Sequence, residues 1–216
     1  MKKDLQDQAE LKKPALRISR IVYGRENVGN KVKYLLDPKG HGERKEIPEN
    51  IVLIRWRKRS FPGYTFSGDR LGPNVWRGLG ITFGDKPRTS WFSWSEQQIE
   101  AKLRESKESM GLYRSSVPSA SAIHALFQIC GPERLSVIFK RHLDPMREGV
   151  YGTPDLFLFA RDKSGRECMG RFVEVKRPDE RFKDGQLEEL AFLQSIGLHA
   201  RVARLIERTL PTTKTR

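Results

Sequence analysis

The sequence predicts an α/β domain: a mixed β-sheet flanked by helices, preceded by a basic N-terminal extension. Three observations lead there. From Ser95 to Leu143 apolar residues recur at helical spacing. After Gly149 the pattern switches to two short apolar runs, DLFLFA and GRFVEV. A last helix and strand, KDGQLEELAFLQSIGL and HARVARLIE, then close the pattern. The order ααββαβ gives a sheet with both hairpin and crossover connections.

Each element has a local reason. The first 50 residues are charged and weakly periodic, with PKGHGERKEIPEN as a loop, and residues 1–60 read as a basic arm. Within them IVLIRW reads as a short strand, with Trp56 packed in its core face rather than stacking on a base. Residues 61–118 form a second segment. Gly and Pro recur from 61 to 90, which predicts turns and irregular structure, and SWSEQQIEAKLRESKES follows as a helix with Ser95 as N-cap. From Ser119 a helix runs through SASAIHALFQIC to Gly131, its C-cap. Pro132 opens the next, PERLSVIFKRHLD, whose Leu135, Ile138, Phe139 and Leu143 share one face. The Lys-Ser-Gly between DLFLFA and GRFVEV is turn chemistry and makes the pair a β-hairpin. TLPTTKTR reads as a frayed end.

Charge narrows the function. The 216 residues carry a net charge of +14, and 37% are hydrophobic, enough for a core. A pI near 10.0 points to a polyanionic partner, nucleic acid first among them. Residues 1–60 hold 16 Lys and Arg against 8 Asp and Glu, over half of the excess, and RWRKRS mixes cations with an aromatic. No apolar run approaches the ~18 residues of a membrane span, and no signal peptide is evident. Two cysteines, Cys130 and Cys168, are too few for a disulfide framework or a zinc cluster. The expectation is an intracellular protein that meets DNA, with no membrane partner. The histidines 41, 124, 142 and 199 lack zinc spacing, and neither a G-x-S-x-G elbow nor a P-loop is present.

The informative run is GVYGTPDLFLFARDKSGRECMGRFVEVKRPDERFKDGQ, residues 149–186. On a strand, Glu174 and Lys176 are two residues apart and project from one face, while Val175 points to the other. Asp155 opens the preceding strand, and a hairpin can set it opposite Glu174. Two carboxylates suit a hard divalent cation, Mg²⁺ or Mn²⁺, with the Val175 carbonyl as a further oxygen. Such an ion serves phosphodiester hydrolysis by acidifying a water and neutralising developing charge. Lys176, beside carboxylates, stays protonated and acts electrostatically, and Gln186 in the next helix supports the group. The bland reading, a solvated hairpin carrying a Glu and a Lys, weakens with the Pro-Asp turn and the Gln-bearing helix in place.

These residues resemble a family. GTPDLFLF, then FVEVKRPDERFKDGQLEELAFLQSIGLHARV, is similar to the VRR-NUC branch of the PD-(D/E)xK nucleases, and ALFQICGPERLSVIFKRHLDPMREGVYG resembles the lead-in to the nuclease core of Fanconi-associated nucleases. The resemblance implies a PD-(D/E)xK core over residues 119–216 and a structure-selective deoxyribonuclease using Mg²⁺ or Mn²⁺. It implies action on 5′ flaps and branched DNA with 5′-to-3′ polarity, in crosslink repair. It gives Asp155, Glu174 and Val175 as metal ligands and Asp155, Glu174, Lys176 and Gln186 as catalytic residues. Arg177, Arg181 and Lys183 are the expected nucleic-acid contacts. Arg177 stands where the family usually has Gly, and Gly185 where it commonly has Lys. The family's further acid, from an upstream helix, has no fixed place: Pro62 falls at the nearest match, and Glu96, Glu100 and Glu133 are substitutes that read more simply as solvated helix residues. Two other readings stay open: a junction resolvase or restriction-type endonuclease of the same fold, and a DNA-binding protein whose site has decayed.

Overall fold

The structure, a computed structural model, describes residues 17–28, 31–35, 45–144 and 152–207. Most of the PKGHGERKEIPEN loop, His41 and the TLPTTKTR end lie outside them. Among the described residues seven strands form one sheet in the order β3-β2-β1-β7-β6-β5-β4. They are β1 (Ile18–Val28), β2 (Lys31–Leu35), β3 (Lys45–Glu46), β4 (Tyr64–Arg70), β5 (Leu156–Asp162), β6 (Glu167–Lys176) and β7 (Ala200–Glu207). β7 runs parallel to both β1 and β6, and the other pairings are antiparallel. The sheet is mixed, as expected.

Helices cover both faces. α1 (Pro48–Arg57) packs on one side. α2 (Val75–Phe83), α3 (Glu96–Glu105), α5 (Ala120–His142) and α6 (Asp184–Ser195) pack on the other, with a short α4 (Lys107–Met110) between α3 and α5. Strand alternation separates the two cores. Phe157, Phe159, Phe172, Ala200 and Val202 join the larger helical core. Leu156, Leu158, Val173, Val175 and Ala203 meet Val52, Leu53 and Trp56 of α1. Among the described residues no helix is long and apolar enough to cross a membrane.

The caps read from sequence are in place. Ser95 opens α3 with a capping box: its Oγ accepts from Gln98 N–H at 3.3 Å, and Gln98 Oε1 accepts from Ser95 N–H at 2.8 Å. Ser119 Oγ accepts from Ala122 N–H. α5 is broken at Gly131, φ 68°, so it is the two helices expected, with Pro132 restarting the second.

Three expectations are corrected. IVLIRW is not a strand but the body of α1, begun by Pro48 at a first-turn position with Glu49 behind it. Trp56 is a core residue as expected: 4% exposed, its Nε1–H donates to the carbonyls of Ser67 and Phe159. The Gly/Pro-rich stretch holds a strand and a helix, β4 and α2. Its glycines permit close packing: a Cβ on Gly78 would lie 2.4 Å from Val117. Residues 18–28 and 48–57, expected within a basic arm, are a strand and a helix of the fold, β1 pairing along β7 from Ile18↔Val202 to Tyr23↔Glu207.

Candidate active site

Register brings the acids together. β5 and β6 pair Leu156 with Val173, so Asp155 and Glu174 come opposite each other at the end of the hairpin remote from its turn. Asp155 Oδ2 accepts a hydrogen bond from Val175 N–H at 2.7 Å, which fixes the carboxylate across the strand pair. The Asp155 carbonyl accepts from Leu71 N–H at 2.8 Å, tying the same residue to the end of β4. Val175 turns its side chain into the core beneath α1, and Glu174 and Lys176 occupy the opposite face.

Glu174 and Lys176 are 2% and 1% exposed, so every polar contact they make counts. Lys176 Nζ donates to Gln186 Oε1 at 2.7 Å, lies 3.0 Å from Glu174 Oε1, and donates to Glu180 Oε1 at 3.2 Å. Three acceptors match the three protons of an ammonium. Gln186, in the first turn of α6, joins the pieces. Its Nε2 donates to Glu174 Oε1, and its Oε1 accepts from Lys176 and from the Lys183 backbone N–H at 3.1 Å. Only one orientation of that amide satisfies donors and acceptors together. Gly152 lets the chain pass close by: its N–H reaches the Gly185 carbonyl at 3.3 Å, and a Cβ there would stand 3.1 Å from Gln186 Cα.

The electrostatics follow from burial. Desolvation pushes Asp155 up to about 6, partly offset by the Val175 hydrogen bond, with the charges of Glu49 and Glu180 pushing further. Desolvation and then the neighbouring Asp155 charge push Glu174 up to about 7, against the pull of Lys176. Burial works against the Lys176 ammonium, yet its bonds to Glu174 and Glu180 hold its pKa above the ordinary lysine value. Lys176 therefore keeps its proton and is a fixed positive charge, not a base.

The two carboxylates, Glu174 buried and Asp155 half-buried, repel one another, a condition that a divalent cation would relieve. Among the described residues Asp155 Oδ1 and Glu174 Oε2 have no hydrogen-bonding partner. The donors are hard oxygens, the kind that Mg²⁺ or Mn²⁺ prefers. The residues fit the ion. Among the described residues no three acidic, His or Cys side chains are gathered as a ready metal cluster.

Not every candidate arrives here. Glu96 pairs with Arg161 at 2.6 Å, at the far end of β5. Six residues of strand put it about 20 Å from Asp155. Glu100 sits beside Arg104, Lys107 and Arg114, between α3 and the start of α5. Glu133 is exposed just past the break at Gly131. None of the three is among the charges acting on Asp155 or Glu174. The acids that do act there are Glu49, in the first turn of α1, and Glu180, in the loop after β6. Both were missed in the sequence. Pro48-Glu49 before an apolar run was the available helix-start signal for the first. Arg177, Arg181 and Lys183 lie on that same loop, exposed, between β6 and α6. The loop is tied down from β7: Arg204 donates to the carbonyls of Arg177, Pro178 and Glu180 at 3.0–3.1 Å.

His124 and His142 are packed against Glu167 and Glu189, each at 2.8 Å, and Cys130 is buried with its thiol pushed up to about 12. None of these groups touches the carboxylates.

Residues 94–205, just over half of the chain, match the VRR-NUC domain. The fold is similar over 91% of this chain to the crystal structure of paFAN1 bound to 2-nt 5′ flap DNA with a gap, at TM-score 0.56 and 15% identity. The structure of paFAN1 bound to 1-nt 5′ flap DNA with a gap also matches over 91%, at TM-score 0.49 and 17% identity. This chain spans 38% and 39% of the length of those chains. No curated protein matches. With the paired acids, the buried lysine and the Gln-bearing helix all within the matched residues, the chain belongs to the VRR-NUC family of nuclease domains.

Proposed function

We propose that this nuclease is a structure-selective deoxyribonuclease that depends on Mg²⁺ or Mn²⁺ and cuts 5′-flapped or branched DNA near the junction, in DNA repair. The observation that carries the reading is the Asp155–Glu174 pair at one end of the sheet, Glu174 buried and held by Gln186 and Lys176, Asp155 half-buried and held by the Val175 N–H. Asp155, Glu174 and the Val175 carbonyl would hold the ion, with Glu49 reaching it directly or through one of its waters. When bound, a divalent cation supplies a water of lowered pKa and neutralises charge on the phosphate.

The chain's own residues do the rest. Gln186 keeps Glu174 and Lys176 in register, so the acceptor for the ion and the cation for the phosphate move as one unit. Lys176 puts a permanent positive charge where negative charge grows on the phosphate oxygens, the kind of preorganised stabilisation that lowers such barriers most. Arg177, Arg181 and Lys183, on the loop next to it, would grip neighbouring phosphates, consistent with a net charge of +14. The flap preference is supported by the fold shared with paFAN1, which was crystallised on 5′ flap DNA. Glu49, on an upstream helix and in the field of Asp155, weighs against the decayed-site reading.

A panel of 5′-flap, four-way junction, nicked and plain duplex DNA in Mn²⁺, with an EDTA control, tests the assignment. Preferential cutting of the flap within a few nucleotides of its junction supports it. Symmetric junction cleavage, or cutting at one sequence in plain duplex, replaces it with a resolvase or restriction-type activity.

A further inference from the structure

On the α1 face of the sheet lies a cavity of about 280 Å³ that the proposed chemistry does not use. Its floor is apolar, formed by Leu158 and Val173 of the sheet and by Trp56 of α1. Its walls are arginine: Arg55 and Arg59 from α1 and the residues after it, Arg171 from β6 and Arg201 from β7. Three separate parts of the chain, α1 with the residues after it, β6 and β7, thus deliver guanidinium groups to one place.

Charge balance is what sets the cavity apart. Arg171 has its pKa lowered by burial and then by Arg201, Arg59 and Arg17, all cations. Among the described residues no carboxylate forms a salt bridge with Arg59, Arg171 or Arg201. Arg59 and Arg171 lie instead over the Trp56 ring, 4.8 and 5.2 Å from its centroid. A structural role would bring paired charges, because packed like charges cost stability unless something neutralises them. Planar guanidinium forks over an apolar floor match a phosphodiester, with its two anionic oxygens and its sugar or base beside them.

The distance to the carboxylates is set by α1. Its first turn places Glu49 in the field of Asp155, and its last turn and the residues beyond place Arg55 and Arg59 at the cavity. At ~1.5 Å per residue, six to ten residues span roughly 9–15 Å. With ~3.4 Å of axial rise per phosphate on one strand, that is about three or four nucleotides.

We propose that this arginine-walled cavity is a second phosphate site, holding the backbone of a nucleic-acid strand a few nucleotides from the phosphate to be cut. The placement relative to the cut rests on the nuclease reading above, and the binding does not.

The test uses the full chain with Arg171→Gln and Arg201→Gln combined, and Arg166→Gln in the exposed hairpin turn as control. Binding of 5′-flap DNA is measured in Ca²⁺, without cleavage, across a range of salt. The double variant should bind at least 10-fold more weakly at ~0.15 M salt, with a salt slope shallower by about 1–2, since each phosphate contact contributes about 0.9. The control should match wild type. Inorganic phosphate at matched ionic strength should raise the melting temperature of wild type and not of the double variant, which without phosphate should be no less stable than wild type. Arg59→Gln, at an exposed position past α1, gives the same comparison if the double variant does not fold. Unchanged affinity and slope would overturn the proposal, and so would loss of the phosphate effect with DNA binding intact. The two readings fail separately. A wild type that grips DNA through these arginines but never cuts in Mn²⁺ keeps this site and sinks the nuclease. Normal cutting and binding by the double variant does the reverse.

Discussion

Glu174→Gln should stabilise the metal-free protein, and by an amount that grows with pH. Glu174 is 2% exposed and titrates near 7 rather than at its ordinary 4.5. Between those values the folded protein still holds a proton that the unfolded chain has released. Stability therefore falls as pH rises through this window, most of the loss being complete by pH 8. A difference of about 2.5 at ~1.36 kcal/mol per pH unit amounts to about 3 kcal/mol. Glutamine keeps the oxygen that accepts from Lys176 and Gln186 but has no charge to desolvate, and it relieves Asp155 as well. For a domain of this size ~1 kcal/mol moves the melting temperature by about 2–4 °C. In EDTA the variant should therefore gain about 6–12 °C on wild type between pH 4.5 and pH 8. Added Mn²⁺ should close the gap by stabilising wild type alone. Thermal denaturation followed by circular dichroism at several pH values reads this directly. A gap that stays constant from pH 4.5 to pH 8 would refute the claim that unneutralised acid is buried here.

Other substitutions separate the roles. Lys176→Ala should cut cleavage about 100- to 1,000-fold while DNA binding stays within a few-fold, seen by pairing single-turnover rates with binding in Ca²⁺. Glu49→Gln should weaken Mn²⁺ affinity, read by calorimetry, or activity by about 10–100-fold. An unchanged affinity and rate would remove α1 from the site. Trp56→Ala should cost about 3–5 kcal/mol, since it deletes a buried ring and two hydrogen bonds. A chemical denaturation curve that shifts by less than 1 kcal/mol would contradict its core role.

Much of this was legible, for reasons that differ by element. The hairpin and Asp155–Glu174–Lys176 were readable because strand alternation is local, and Val173, Glu174, Val175 and Lys176 state their faces in sequence. Ser95, Ser119 and Gly131 marked helix ends through chemistry that acts within four residues. IVLIRW was misread because a six-residue apolar run has no resolvable period, and only Pro48 and Glu49 distinguish helix from strand. The pairing of β1 with β7 joins residues over 180 positions apart, and no local signal encodes it. Glu49 was lost with the same misreading. Glu180 carried no signal: an acid in a polar loop looks solvated until the loop folds over Lys176.

The central claim is that this buried cluster cuts flapped DNA with a divalent ion. The most direct measurement follows an end-labelled 5′-flap substrate in Mn²⁺ with wild type and Lys176→Ala side by side, both shown to bind it. Cutting close to the junction by wild type, lost in the variant and in EDTA, is the predicted result. Cutting that persists in Lys176→Ala, or none by a wild type that binds the flap, would contradict it.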